Sequence, residues 1–70
     1  MENIQDMLIL LHMANQDAID YGKGNKTKII NSNMIAIGAD NWSIENVPGK
    51  LFIDFTLYHQ HYRQEYRYEN

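Results

Sequence analysis

Three groups of residues have side chains and spacings that could do chemistry. His59-Gln60-His61 sets two imidazoles at alternate positions, and on an extended strand such residues share a face, so the pair could hold a metal ion. A third ligand would have to come from His12 or Asp54. With no cysteine and no neighbouring carboxylate motif, the simpler reading is that His59 and His61 carry a buried row past the rim of the core, half wet. Trp42 beside Asn41 could line a small-molecule pocket, ring as platform and amide for orientation, although a single Trp in a short chain more often anchors a core.

The third group is the Tyr- and Arg-rich end. Tyr58, Tyr62, Arg63, Tyr66 and Arg67 are the residue types enriched where proteins bind one another. Together with Lys23, Lys26 and Lys28 they could also stack on bases and contact phosphate, which makes a nucleic-acid binder the alternative. Glu65 and Glu69 in the same stretch, and a net charge of -3, favour the protein partner. No catalytic set is legible: Asp17 and Asp20 have no nucleophile or oriented base near them in the sequence. The GKGN run at 22–25 lacks the preceding strand and the length of a phosphate-binding loop. The chain is expected to be non-enzymatic and to need no cofactor.

Seventy residues make one domain, and a chain of that size buries only about 60% of the surface its unfolded form exposes. The absence of cysteine removes disulfides as a staple and fits a cytoplasmic location. The longest apolar run, 7–11, is far short of the roughly 20 residues a membrane span needs. Glu2 and Asp6 stand where a signal peptide would be basic, so a soluble, unprocessed chain with no membrane partner is expected. Abundant Asn, Ile, Lys and Tyr suit an AT-rich genome, such as that of a phage or mobile element.

The elements that must position these groups begin with a helix over 4–21, with Asn3 as its cap and Asp6 near the positive end of its dipole. Ile4, Met7, Leu8, Leu11, Ala14 and Ala18 form one stripe, and Gly22 with Gly24 provides the exit. Ile9, Leu10 and Met13 lie off that stripe and make the segment apolar nearly all round. A helix on one small sheet buries one face, so a second layer or a second subunit should cover the other.

Asn31-Ser32-Asn33 favours a turn and predicts a hairpin of 27–31 against 34–38, with Ile30 opposite Ile35. Trp42 and Ile44 alternate with polar neighbours and suggest a short strand, followed by a Pro48-Gly49 turn of type II. Such a turn matches hairpin twist poorly, so a connection wider than two residues is expected. Leu51, Ile53, Phe55 and Leu57 alternate with Asp54, Thr56 and Tyr58, the clearest strand in the chain. Alternation continues nominally to Tyr68, but 18 extended residues would span roughly 60 Å, too long for so small a body. The strand must therefore end, bend or leave the molecule between His59 and Tyr62.

The expected fold is α+β, an N-terminal helix packed on a three- to four-stranded antiparallel β-sheet. One domain would occupy 1–61, and 62–70 would form a Tyr/Arg-rich tail that frays, closes a helical turn or reaches a neighbour. The expected function is a small protein-interaction module that self-associates, first as a dimer, and binds and inhibits a host protein. Its partner-binding residues would be Ile9, Leu10, Met13, Tyr58, Tyr62, Arg63, Tyr66 and Arg67. Asn41 and Trp42 are the candidates for a small ligand, and His59 and His61 for a metal.

Overall fold

A computed structural model describes residues 3–69; Met1, Glu2 and Asn70, at the ends of the expected domain and tail, lie outside them. Helix α1 (Ile4–Tyr21) and helix α2 (Lys26–Ala36) precede three strands, β1 (Asp40–Val47), β2 (Lys50–Leu57) and β3 (Gln60–Arg67). The strands form one antiparallel sheet in the order β1-β2-β3. Both helices pack on one face of it, α1 toward β3 and α2 toward β1. The α+β architecture and the N-terminal helix are as expected, with a second helix in addition.

The alternation of β2 sets the core. Leu51, Ile53, Phe55 and Leu57 are buried against the helices, while Phe52, Asp54 and Thr56 face the uncovered side and are partly exposed. α1 starts where its cap predicts: the Asn3 side chain accepts from the Gln5 amide at 2.8 Å. Leu11, Asn15 and Ala18 form its buried line. At its end Gly22 has φ -70, and the left-handed turn is made instead by Lys23 (φ 49) and Gly24 (φ 92). A Cβ at Gly22 would sit 2.2 Å from the Ala18 carbonyl oxygen and 3.1 Å from the Lys26 Cα, so a glycine lets α2 begin directly against α1.

The hairpin expected over 27–38 is α2 instead. Each side chain of Asn31-Ser32-Asn33 is bonded away from the nearby amides that would turn the chain. Asn31 Oδ1 accepts from Trp42 Nε1 at 2.9 Å, Ser32 donates to the Lys28 carbonyl at 3.1 Å, and Asn33 donates to Asn15 Oδ1 at 2.9 Å. The local competition that makes these residues turn formers is thereby removed. Ile30 and Ile35 are no cross-strand pair: Ile30 is wholly buried and Ile35 is 67% exposed.

The Pro48-Gly49 connection is also tighter than expected, because Val47 pairs directly with Lys50. Gly49 takes φ 78 as a type II turn requires, and Tyr68 braces the turn, donating its hydroxyl to Asn46 Oδ1 at 2.7 Å with the Val47 carbonyl oxygen 3.0 Å away. The Tyr68 amide bonds the Gly49 carbonyl at 3.2 Å. At the far end Tyr58 (φ 51) and His59 (φ 65) form a two-residue type I′ turn, so the long alternating run folds back on itself. The boundary expected at residue 61 falls inside β3: 60–67 pair in register with β2 from Leu57↔Gln60 to Lys50↔Arg67. With a longest extent of 38 Å the molecule has no room for the unbroken strand.

Asn15, wholly buried, is the polar joint of the core. Its Nδ2 donates to the Tyr66 hydroxyl at 3.1 Å and contacts Met34 Sδ at 3.8 Å. Tyr66 donates to Gln64 Oε1, and Gln64 Nε2 donates to the Leu8 carbonyl at 3.1 Å. Helices α1 and α2 and strand β3 are thus tied by one chain of bonds in which, among the described residues, no buried side-chain polar atom is left without a partner.

Burial pushes the Tyr66 phenol up to about 12, against a smaller lowering by the bond from Asn15. The fold favours the neutral phenol, so this stabilisation is complete below the ordinary tyrosine value of about 10 and is lost as pH rises toward the folded value. Urea unfolding followed by circular dichroism should show stability falling between these two pH values, and Tyr66→Phe should remove that part of the fall. Asn15→Ala should cost about 1–3 kcal/mol at neutral pH, because the partly buried Asn33 amide loses its acceptor and the Tyr66 hydroxyl oxygen loses its donor, keeping only the bond to Gln64.

Candidate interaction surface

The residues singled out for partner binding divide between two sides of the molecule and its core. Ile9, Leu10 and Met13 are 57%, 64% and 58% exposed on the outer side of α1, and Tyr58 is 65% exposed at the tip of the β2–β3 turn. Arg63 lies on the uncovered sheet face, bonded to Asp54 at 2.7 Å and Glu45 at 2.9 Å with its guanidinium 4.3 Å above the Phe52 ring. The bond to Glu45, with Asp54 beside it, raises the Arg63 pKa further above its ordinary high value. Arg67 is exposed on the same face and meets Glu65 at 3.2 Å.

Tyr66 does not lie on the surface. It is wholly buried, stacked on His12 at 4.4 Å and held by Asn15, because at the strand position opposite Leu51 it faces the helices. Tyr62 shares that face; it is partly buried and stacks on Phe55 at 5.6 Å.

The ligand and metal candidates are not brought together. Trp42 packs against the core and spends its indole N–H on Asn31, while Asn41 (φ 52) occupies a β-bulge between Asp40 and Ser43, where asparagine tolerates the left-handed region. His59 sits in the turn, whereas His61 is on the open sheet face 3.6 Å from Asp54, so the two do not share a strand face. Among the described residues no three His, Cys, Asp or Glu side chains gather as a metal site. No helix there is long and apolar enough to cross a membrane.

What the fold does assemble is a furrow between the helices. Met7, Leu10 and Ala14 of α1, Ala36 and Ile37 at the end of α2, and Tyr58 line an open cavity of about 500 Å³. It continues past Ala14 and Asn33 into a shallower hollow of about 370 Å³ beside Tyr21 and Ile29. The two walls differ in charge: α1 carries Asp6, Asp17 and Asp20 and no Lys or Arg, while α2 carries Lys26 and Lys28 and no acid. Tyr21, Ile29 and Ile35 are exposed hydrophobics that sequence reasoning did not select. Ile29 and Ile35 become visible once 26–36 is helical, since neither falls on the Ile30–Met34 line.

Tyr58 is the least expected residue at this furrow. A bulky aromatic at φ 51 costs roughly 1–2 kcal/mol relative to Asn or Gly, which is why such turns usually carry Asn-Gly, and its side chain contributes little to the core.

Comparison with protein-family models, with curated proteins and with solved structures finds no match. In thermal and urea unfolding, replacing Tyr58-His59 by Asn-Gly should stabilise the protein by about 1–2 kcal/mol. Leu10→Ser with Met13→Ser should change stability by no more than about 0.5 kcal/mol each, as expected of side chains outside the core.

Proposed function

We propose that this protein is a non-enzymatic, cytoplasmic interaction module that associates with a second copy of itself and docks on a protein target through the outer side of its helix layer. The observation that carries this reading is Tyr58, an exposed aromatic held in a costly conformation beside the furrow where Leu10 also lies open and Met7 is half-buried. An aromatic anchor beside aliphatic side chains is the composition of a binding hot spot. Ile9 and Met13 extend the apolar area along α1, and the Asp6, Asp17 and Asp20 carboxylates around it favour a target whose contact surface is apolar with a basic border.

Such a surface acts by occupying a partner, and inhibition by blockage is the activity it suits. The AT-rich flavour of the composition fits a phage or mobile-element product directed at a host protein. The nucleic-acid alternative draws less support: Arg63 and Arg67 are engaged by carboxylates, Lys26 lies 4.9 Å from the Tyr68 ring, and these cations form no single stripe.

Affinity capture from an extract of the source cell or its host, with tagged variants, tests the docking reading. A protein retained by the wild type and by Arg67→Ala, but lost with Leu10→Ser/Met13→Ser and with the Asn-Gly turn, is the expected outcome. Retention by all variants, or loss only with Arg67→Ala, would refute it.

A further inference from the structure

The sheet has two edges, and they are treated differently. Because Pro48 has no N–H, the closing pair Val47↔Lys50 must be one that exchanges its own hydrogen bonds, which fixes the alternation along β1. Ser43 and Glu45 then bond inward to β2, and Ile44 and Asn46 turn their N–H and C=O groups outward. On β3 the same logic turns His61, Arg63, Glu65 and Arg67 outward. There α1 covers the edge: His12 donates Nε2–H to the Glu65 carbonyl at 2.8 Å, and Gln16 donates to the Arg67 carbonyl at 2.9 Å. On β1, among the described residues, no such bond reaches the main chain of Ile44 or Asn46.

The geometry points to β1 as a pairing edge for a second antiparallel copy of β1, giving a continuous six-stranded sheet with all four helices on one face. This rests on the self-association half of the proposed function and names its surface. Outward-facing residues must meet outward-facing residues, and registers centred on Ile44 or on Glu45 both satisfy this. A two-fold axis at Ile44 sets Ile44 opposite Ile44, Ser43 opposite Glu45 and Trp42 opposite Asn46; an axis at Glu45 sets glutamate against glutamate. Charge selects the first.

The same axis brings the two α2 helices toward each other by their β1-side flanks. That flank is marked by Asn31, bonded to Trp42, and one turn on it carries Ile35, the exposed isoleucine that the furrow does not use. Pairing would cover Ile35 and Ile44 together. The open part of the β3 edge offers no equivalent, since self-pairing about Arg63 sets one guanidinium against another.

Sedimentation equilibrium of the full chain from about 10 μM to about 1 mM, the range of moderate protein affinities, should give a mass rising from one chain toward two. Asn46→Pro deletes an outward N–H and no rung of the internal ladder, and should hold the mass at one chain. Asn46→Ala keeps the N–H while losing the Tyr68 bond, and should behave as wild type. If Asn46→Pro does not fold, amide exchange of the wild type decides: the Ile44 and Asn46 amides should slow several-fold as concentration rises, and those of His61 and Arg63 should not. A monomer throughout would overturn self-association altogether. Dimerisation that survives Asn46→Pro but is lost in Leu10→Ser/Met13→Ser would move the contact to the helix layer and overturn the edge alone.

Discussion

The structure depends on one row of side chains. Leu51, Ile53, Phe55 and Leu57 on the central strand are buried because two helices lie over them, and among the described residues nothing lies over the helices. A layer one helix thick can turn only one side of each helix inward. α1 is apolar on more than one side, so burying Leu11, Asn15 and Ala18 forces Ile9, Leu10 and Met13 outward. The uncovered sheet face meets water differently, with Arg63 laid over Phe52 between Asp54 and Glu45. The molecule therefore has a charged side whose groups answer one another and a greasy side whose groups do not.

The apolar core holds the helices on the sheet, and a chain of polar contacts fixes how they sit there. Asn15 reaches Tyr66 and Asn33, Tyr66 passes the chain on to Gln64 and the Leu8 carbonyl, and Trp42 ties β1 to Asn31. Hydrogen bonds of this kind add modest net stability, but each is expensive to leave unmade, so they specify one helix orientation among several that apolar packing alone would allow. His12 and Gln16 extend the arrangement to the outer edge of β3. The edge of β1 stays open by contrast, with α2 attached above it rather than across it.

Where one element's own residues decide its conformation, the sequence is readable. The α1 limits, the Asn3 cap and the inward row of β2 all follow from local spacing. α2 was not legible because Asn31-Ser32-Asn33 is neutralised as a turn by partners in α1, α2 and β1. The second hairpin was hidden for a related reason: Tyr58-His59 takes a conformation that usually announces itself with Asn-Gly. β3 fills its inward positions with Tyr62, Gln64 and Tyr66, whose polar ends mimic a solvated tail. Of the residues singled out for a partner, the α1 residues and Tyr58 are exposed, whereas Tyr66 is buried in the core. Asn15 was the available clue to Tyr66, a polar residue on the Leu11–Ala18 stripe that had to find a partner in the core.

Solvent paramagnetic relaxation of the side-chain methyl groups, measured by NMR on the dilute chain, reads out this one-sided burial. Ile9, Leu10 and Met13 should relax strongly, comparably to surface methyls, and Leu11, Ile30 and Ile53 weakly. Protection of Leu10 and Met13 equal to that of Leu11 would mean that α1 already has both sides covered, and would contradict it.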